Sequence, residues 1–196
     1  MPRTVFLARH GETDWNVALR WQGHTDVPLN ATGRAQARTL AERLRGEALV
    51  GAVASDLSRA SETARVVAET LGVPLVYLDA DLRERSFGVF EGLDRRECET
   101  RQAEAWAAWL ERRQPPPGGE SDESLRARMV AAVGRVAERV ARDDAPALIV
   151  THGGSLRALV AAATGTMPGF VQNGGVWRIT WAGRIVAAVE DHAPTG

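Results

Sequence analysis

At 196 residues, with 44% hydrophobic and 25% charged residues, the chain is long enough for one well-buried core and too short to favour two; one domain over residues 1–196 is expected. A formal charge of −1, from 24 basic and 25 acidic residues, gives no field to attract a nucleic-acid backbone or an anionic membrane, so neither partner is expected. All 24 basic residues are arginine, which excludes Schiff-base, lysine-anchored pyridoxal phosphate and P-loop lysine chemistry, and the lone Cys98 excludes a disulfide framework, a four-cysteine zinc site or a thioredoxin-type pair.

The N-terminus lacks a signal-peptide apolar region, and no run approaches the ~18 apolar residues of a membrane span, so the expected compartment is the cytoplasm. The first apolar run, residues 4–8, reads as a buried strand. It leads directly into Arg9-His10-Gly11-Glu12-Thr13, which puts a histidine, a guanidinium and a helix-breaking glycine at a strand end, where α/β sheets keep their active sites. Asn30 reads as an N-cap, and Ala37, Leu40, Ala41 and Leu44 repeat at helical spacing until Gly46. Residues 49–54 form a short strand, and Ser55-Asp56-Leu57-Ser58 a cap-rich turn. A second helix follows, with an inner stripe of Ala60, Ala64, Val67, Ala68 and Leu71, closed by Gly72. Residues 73–78 read as a third strand. The alternation of strand and helix predicts parallel pairing through right-handed crossovers.

Residues 82–120 break this rhythm. Residues 95–113 read as one helix with Trp106, Trp109 and Leu110 on a shared face, stopped by Pro115-Pro116-Pro117-Gly118-Gly119. This gives a small helical insertion at about 94–120. Ser121 caps a long helix with Asp122 and Glu123 in its first turn and Leu125, Met129, Ala132, Val133, Val136 and Val140 along one stripe. Ala147-Leu148-Ile149-Val150 then repeats the opening theme, running into Thr151-His152-Gly153-Gly154 and a helix over 155–164. Strands over 176–181 and 185–189, joined at Ala182-Gly183-Arg184, read as a hairpin at the sheet edge. The expected fold is a three-layer α/β/α sandwich around a mostly parallel sheet, with the insertion beside the active site.

If the strands before His10 and His152 are parallel neighbours, two imidazoles and nearby arginines meet at one sheet edge. Phosphoryl transfer without a metal needs a nucleophile, cationic donors and an acid, and each has a candidate here. Either His10 or His152 can attack phosphorus; Arg9 and Arg59, the latter in the first turn of a helix, can bind an anion; Glu84 is the candidate acid. Taken singly, each has a plainer role. An isolated histidine is more often structural, Arg59 would be a solvated helix arginine, and Glu12, Asp81 and Glu91 are nearby carboxylates suited to loops or salt bridges. His24 and His192 read as surface or loop-packing residues, Trp106 and Trp109 as packing for the insertion, and Arg112 and Arg113 as solvated. No compact metal motif such as H-E-x-x-H is present.

Four ordered segments carry a family resemblance over nearly the whole chain. Arg9-His10-Gly11-Glu12-Thr13 with Asn16 and Gln22-Gly23, then Ser55-Asp56-Leu57-Ser58-Arg59-Ala60 with Glu62-Thr63-Ala64, then Leu82-Arg83-Glu84 with Phe87-Gly88 and Glu91-Gly92, and last Thr151-His152-Gly153-Gly154, together resemble the phosphoglycerate-mutase-like branch of the histidine phosphatase superfamily. The resemblance implies that His10 becomes phosphorylated, that Arg9, Arg59 and His152 bind the transferring group, and that Glu84 gives and later takes the proton. It also places Asn16, Gln22, Gly23 and Gly153 around the substrate, a small phosphorylated metabolite, with no metal or organic cofactor. A homodimer is among the open assemblies. The alternatives are a 2,3-bisphosphoglycerate-dependent phosphoglycerate mutase, a non-catalytic phosphate-binding module and a metallohydrolase. The short, lysine-free insertion favours hydrolysis over a mutase, and the four intact motif residues count against a lost activity.

Overall fold

The computed structural model describes residues 1–190; His192 lies outside them. Six strands form one mixed sheet in the order β3-β2-β4-β1-β5-β6, with β1 Arg3–Arg9, β2 Gly51–Ala54, β3 Leu75–Leu78, β4 Ala147–Thr151, β5 Val176–Trp181 and β6 Ile185–Glu190. Strands β1, β2, β3 and β4 are mutually parallel, as the alternating pattern predicts, while β5 runs antiparallel to β1 and the β5-β6 hairpin closes one edge.

The sheet is covered on both faces, which explains the uninterrupted apolar runs of β1 and β4. Val5, Leu7 and Ile149 pack against helix α6 (Asp122–Arg139) and helix α7 (Gly153–Thr164). Phe6, Ala8, Leu148 and Val150 face the other way, against α2 (Ala31–Arg43) and α3 (Ser58–Leu71). This is the expected three-layer sandwich. Asn30 caps α2 through a bond from Gly33 N–H to its Oδ1 at 2.8 Å, and Ser121 caps α6 by accepting from Ser124 N–H at 3.1 Å.

Local expectation fails in three places. The predicted cap-rich turn does not supply the cap of α3: Leu57 stands at the N-cap without a side-chain bond, and Ser58 N–H donates instead to Asp26 Oδ1 at 2.8 Å. The helix predicted over 95–113 is two helices, α4 (Arg95–Arg101) and α5 (Ala103–Leu110), broken at Gln102, where φ is −132°. Within α5, Trp106 is buried, while Leu110, the last residue of the helix, is 55% exposed and does not share its burial. Finally, a short helix α1 (Asp14–Val17) follows the first histidine loop, closed by a capping box between Thr13 and Asn16.

The insertion has its own small core. Phe87, Phe90, Cys98 and Trp106 are buried together, with Trp21 and Trp109 packed against them. The Trp106 and Trp109 rings lie 5.2 Å apart, and Trp109 meets Trp21 edge-on at 5.1 Å. Both tryptophans therefore pack the insertion onto the domain. Arg112 and Arg113 are exposed, as expected.

Candidate active site

In the parallel pairing of β1 with β4, Arg9 stands opposite Thr151, so the next residues, His10 and His152, leave the sheet at the same level. His10 N–H donates to the Thr151 carbonyl at 2.9 Å, and the two imidazole centroids are 5.1 Å apart with planes inclined at 61°. The glycines that follow serve close approach. A Cβ on Gly11 would strike the Gly33 backbone of α2, and one on Gly153 would come 3.2 Å from Arg9 Nε.

Hydrogen bonds fix opposite tautomers on the two rings. His10 Nδ1 lies 2.6 Å from the Gly11 carbonyl, which only accepts, so Nδ1 carries the proton and Nε2 keeps its lone pair. His152 Nδ1 lies 3.2 Å from Arg59 Nε, which only donates, so the proton of His152 sits on Nε2. That Nε2 is buried and has no partner among the described residues. Burial first, then the positive charges of Arg59 and Arg9, hold the His10 pKa well below 6.5; for His152, burial and Arg59 are again the largest causes. Both imidazoles are therefore neutral near pH 7.

Arg59 is fully buried and spends every nitrogen on positioning contacts: Nε on His152, Nη1 on the Thr25 carbonyl at 2.9 Å, Nη2 on the Gly23 carbonyl at 2.8 Å. Burial lowers its pKa to about 10, against the opposing pull of Glu84, Asp26 and Glu91. Gly23 thus acts through its carbonyl. Its φ of +53° suits glycine, and a Cβ there would collide with the Glu91 carboxylate. Arg9 donates from Nη1 to the Val171 carbonyl at 2.6 Å, its Nε is buried without a partner among the described residues, and its guanidinium carbon lies 5.0 Å from the centre of the Phe170 ring. Burial lowers the Arg9 pKa as well, with Glu84 opposing.

Glu84 reaches across to the N-terminus of α7. Its carboxylate accepts from Gly154 N–H and Ser155 N–H, both at 2.9 Å, from Ser155 Oγ at 3.0 Å and from Arg85 N–H at 2.8 Å. Gly154 leaves it room, since a Cβ there would come 2.6 Å from Glu84 Oε1. The neighbouring carboxylates have structural partners. Glu91 accepts from His24 N–H, Thr25 N–H and Phe87 N–H, tying the loop of residues 22–25 to that of residues 84–91; Glu12 accepts from Asn30, and Asp81 pairs with Arg135. His24 donates from Nε2 to the Glu84 carbonyl at 2.9 Å, a loop-packing role.

These groups meet at a cavity of about 430 Å³. Arg9, His10, Asn16, Gln22, Gly23, Arg59, Glu84 and Gly153 all line it, and His152 stands behind them, fully buried against His10. Thr13 Oγ1 lies 3.1 Å from both Asn16 Oδ1 and Gln22 Oε1 and so holds these two amides in place.

Three further residues hold the site together in roles the sequence does not announce. Thr63 accepts from Gly11 N–H at 3.1 Å and donates to the Arg59 carbonyl at 2.7 Å, joining the first histidine loop to the start of α3. Asn173 donates to the His10 carbonyl at 3.0 Å. Arg128, on α6, donates to the carbonyls of Asp81, Arg83 and Glu84 and pairs with Glu120, so one guanidinium fastens the whole segment that carries Glu84. Thr63 stands within a quoted motif, whereas Arg128 gave only the weak signal of a cation between the buried positions Leu125 and Met129.

An unprotonated buried imidazole nitrogen, flanked by two arginines and an unsatisfied imidazole N–H, is equipped to receive an anionic phosphoryl group. Among the described residues no group of three or more His, Cys, Asp or Glu side chains gathers into a set that would hold a metal ion, and no helix is long and apolar enough to cross a membrane.

Comparison with known proteins points the same way. The chain is 40% identical over 163 residues to phosphoglycerate mutase-like protein 4 of Arabidopsis thaliana, covering 81% of this chain and 70% of that one. It is 38% identical over 164 residues to the metal-independent phosphoserine phosphatase of the same plant, covering 82% and 68%. Its fold superposes on mycobacterial glucosyl-3-phosphoglycerate phosphatase with a TM-score of 0.83 at 31% identity, covering 99% and 100% of the two chains. Residues 5–188 match the pattern of the histidine phosphatase superfamily (branch 1), and with four motif segments converging on one cavity the chain belongs to that superfamily.

Proposed function

We propose that this chain is a metal-independent phosphomonoester hydrolase that works through a phosphohistidine on His10, with small phosphorylated metabolites as substrates. The observation that carries the reading is the opposite protonation of the two imidazoles: a lone pair on His10 Nε2 and an unpartnered N–H on His152 Nε2. In the first step the Nε2 lone pair forms a bond to phosphorus as the ester P–O bond breaks. Arg9, Arg59 and the His152 Nε2–H neutralise the phosphoryl oxygens, and Glu84, entering the step as the carboxylic acid, gives its proton to the departing alkoxide. In the second step water attacks the phosphohistidine, Glu84 takes its proton, the P–N bond breaks and inorganic phosphate leaves. Asn16, Gln22, Gly23 and Gly153 shape the substrate's surroundings.

The mutase-like relative raises a second reading, phosphoglycerate isomerisation, which needs the phosphohistidine kept dry. Nothing from residues 94–120 lines the cavity, and neither Arg112 nor Arg113 is among its walls, which supports access of water. The same reading assigns the protein to the cytoplasm, without organic cofactor, nucleic-acid or membrane partner, and is compatible with a homodimer.

The test is rapid-quench trapping with a radiolabelled ester in excess EDTA. An acid-labile, base-stable phosphoenzyme that forms in the wild type and is missing in His10→Ala is expected. Full turnover by that variant, or activity lost to chelation and restored by a divalent ion, rejects the mechanism.

A further inference from the structure

The phosphoryl-handling groups account for only part of the cavity. Much of the remaining wall is apolar: Trp15, Leu19, Trp21, Phe87 and Phe170. At about 430 Å³ the space is within the ~300–1,000 Å³ of small-molecule sites, so it holds a phosphoryl group and a sizeable body together.

Two of these side chains are left uncovered where a folded chain would normally hide them. Leu19 is 80% exposed and Phe170 is 68% exposed. Leu19 also stands at φ +54°, a conformation costly for a residue with a branched side chain, and it is held there from both sides: its own N–H donates to the Asn16 carbonyl, and the next N–H, of Arg20, to that of Trp15. Trp15 is seated against Gly92, where an added Cβ would come 3.3 Å from the indole ring. Phe170 lies with its ring 5.0 Å from the Arg9 guanidinium carbon. An ester whose phosphoryl group rests on Arg9 therefore has its organic body beside Phe170.

The charges along the wall disfavour an acidic body. Arg20 is committed to Glu97 at 2.7 Å and to the Gly92 carbonyl. Arg157 spends its Nε on the Pro168 carbonyl at 3.1 Å, and two carboxylates, Glu12 and Glu84, line the same space. A leaving group bearing a carboxylate gains one partly engaged arginine and meets the Glu12 carboxylate as a like charge.

Resting on the hydrolase reading above, we propose that Trp15, Leu19 and Phe170 form a leaving-group subsite for a flat apolar body, so that the preferred substrates are aryl or arylalkyl phosphate monoesters. Small carboxylated esters are disfavoured there.

The test uses four esters of primary alcohols, which keeps the leaving oxygen comparable: 2-phenylethyl phosphate, ethyl phosphate, O-phosphoserine and 3-phosphoglycerate. Burial of one ring predicts that kcat/KM for the phenylethyl ester exceeds the other three by roughly 10- to 100-fold. Trp15→Ala and Phe170→Ala should each reduce the phenylethyl-to-ethyl ratio, and Phe170→Ala removes an exposed ring, so the comparison does not depend on the fold tolerating loss of Trp15. Binding is read separately through quenching of Trp15 and Trp21 by 2-phenylethylphosphonate and by methylphosphonate, with the first expected to bind at least about tenfold tighter by the same burial. Equal ratios, or preference for phosphoserine or 3-phosphoglycerate, overturn the subsite while leaving hydrolysis intact. Selective phosphonate binding without turnover of any ester upholds the subsite and removes the hydrolase reading.

Discussion

Arg59 Nε lies 3.2 Å from Nδ1 of His152, and this bond directs the proton of the second imidazole to the nitrogen that has no partner among the described residues. Arg59 is thus both a cation beside the cavity and the group that prepares His152 to donate. Its own position depends on two carbonyls, Gly23 and Thr25, from the loop after the first histidine.

Arg59→Ala and His152→Ala should each lower kcat by roughly 10²–10³-fold, the scale for one lost donor at developing charge. Because Arg59 acts partly through His152, the double variant should lose less than the product of the two single losses. Steady-state kinetics on all three proteins checks this. Strict multiplicativity would show that the bond between them has no part in turnover.

The lowered histidine pKa values predict a pH dependence of stability. His10 and His152 bind fewer protons folded than unfolded at pH values below the ordinary ~6.5. Their neutral burial is therefore without penalty above that value, and stability falls as pH drops through it. The carboxylates that ion pairs hold low, Asp56 with Arg83 and Glu120 with Arg128, act only below their ordinary value of ~4, so the interval from about pH 6.5 to 5 isolates the histidines. Calorimetric Tm should decline over that interval, and His10→Asn should flatten the decline. A Tm that stays constant from pH 7 to 5 in the wild type contradicts the burial argument.

Glu84→Gln should impair an alkyl phosphate far more than p-nitrophenyl phosphate, since nitrophenolate departs without a proton and an alkoxide does not. The ratio of kcat/KM values on the two substrates is the measurement. Equal losses would transfer the acid role to another group.

Arg128→Met removes the donor shared by the Asp81, Arg83 and Glu84 carbonyls and leaves Glu120 without its ion-pair partner, with only the Ser124 hydroxyl at 3.2 Å. Unfolding in urea should show a loss on the order of 1–3 kcal/mol, the scale for buried polar groups left unmade. The leaving-group dependence should move in the direction of Glu84→Gln. A destabilised variant with an unchanged leaving-group dependence would limit Arg128 to holding the fold.

The parallel sheet and its two histidines are legible in the sequence because each is written locally: an apolar run, a histidine, a glycine. The first-turn position of Arg59 is legible for the same reason. What fixes Arg59 is not, since Gly23, Thr25 and His152 are brought to it by tertiary structure. The turn before α3 offers local serines as caps, yet Asp26, from a distant loop, takes the Ser58 N–H. The break at Gln102 has no proline or glycine to announce it; packing of Trp106 and Trp109 on Trp21 and Phe90 overrode a continuous helical period. Helix α1 has four residues, too few to show a period at all.

The aromatic cluster beneath the insertion couples it mechanically to the cavity wall. Residues 94–120 lean on the cavity wall through Trp21 and Phe87, which belong at once to the cluster and to the wall, and through the ion pair of Glu97 with Arg20. The arginines and histidines at the sheet edge are anchored elsewhere, to β1, β4, α3 and the loop of residues 22–25. A shift of α4 and α5 therefore tilts two rings and reshapes the cavity wall, while the arginines and histidines at the sheet edge keep their anchors.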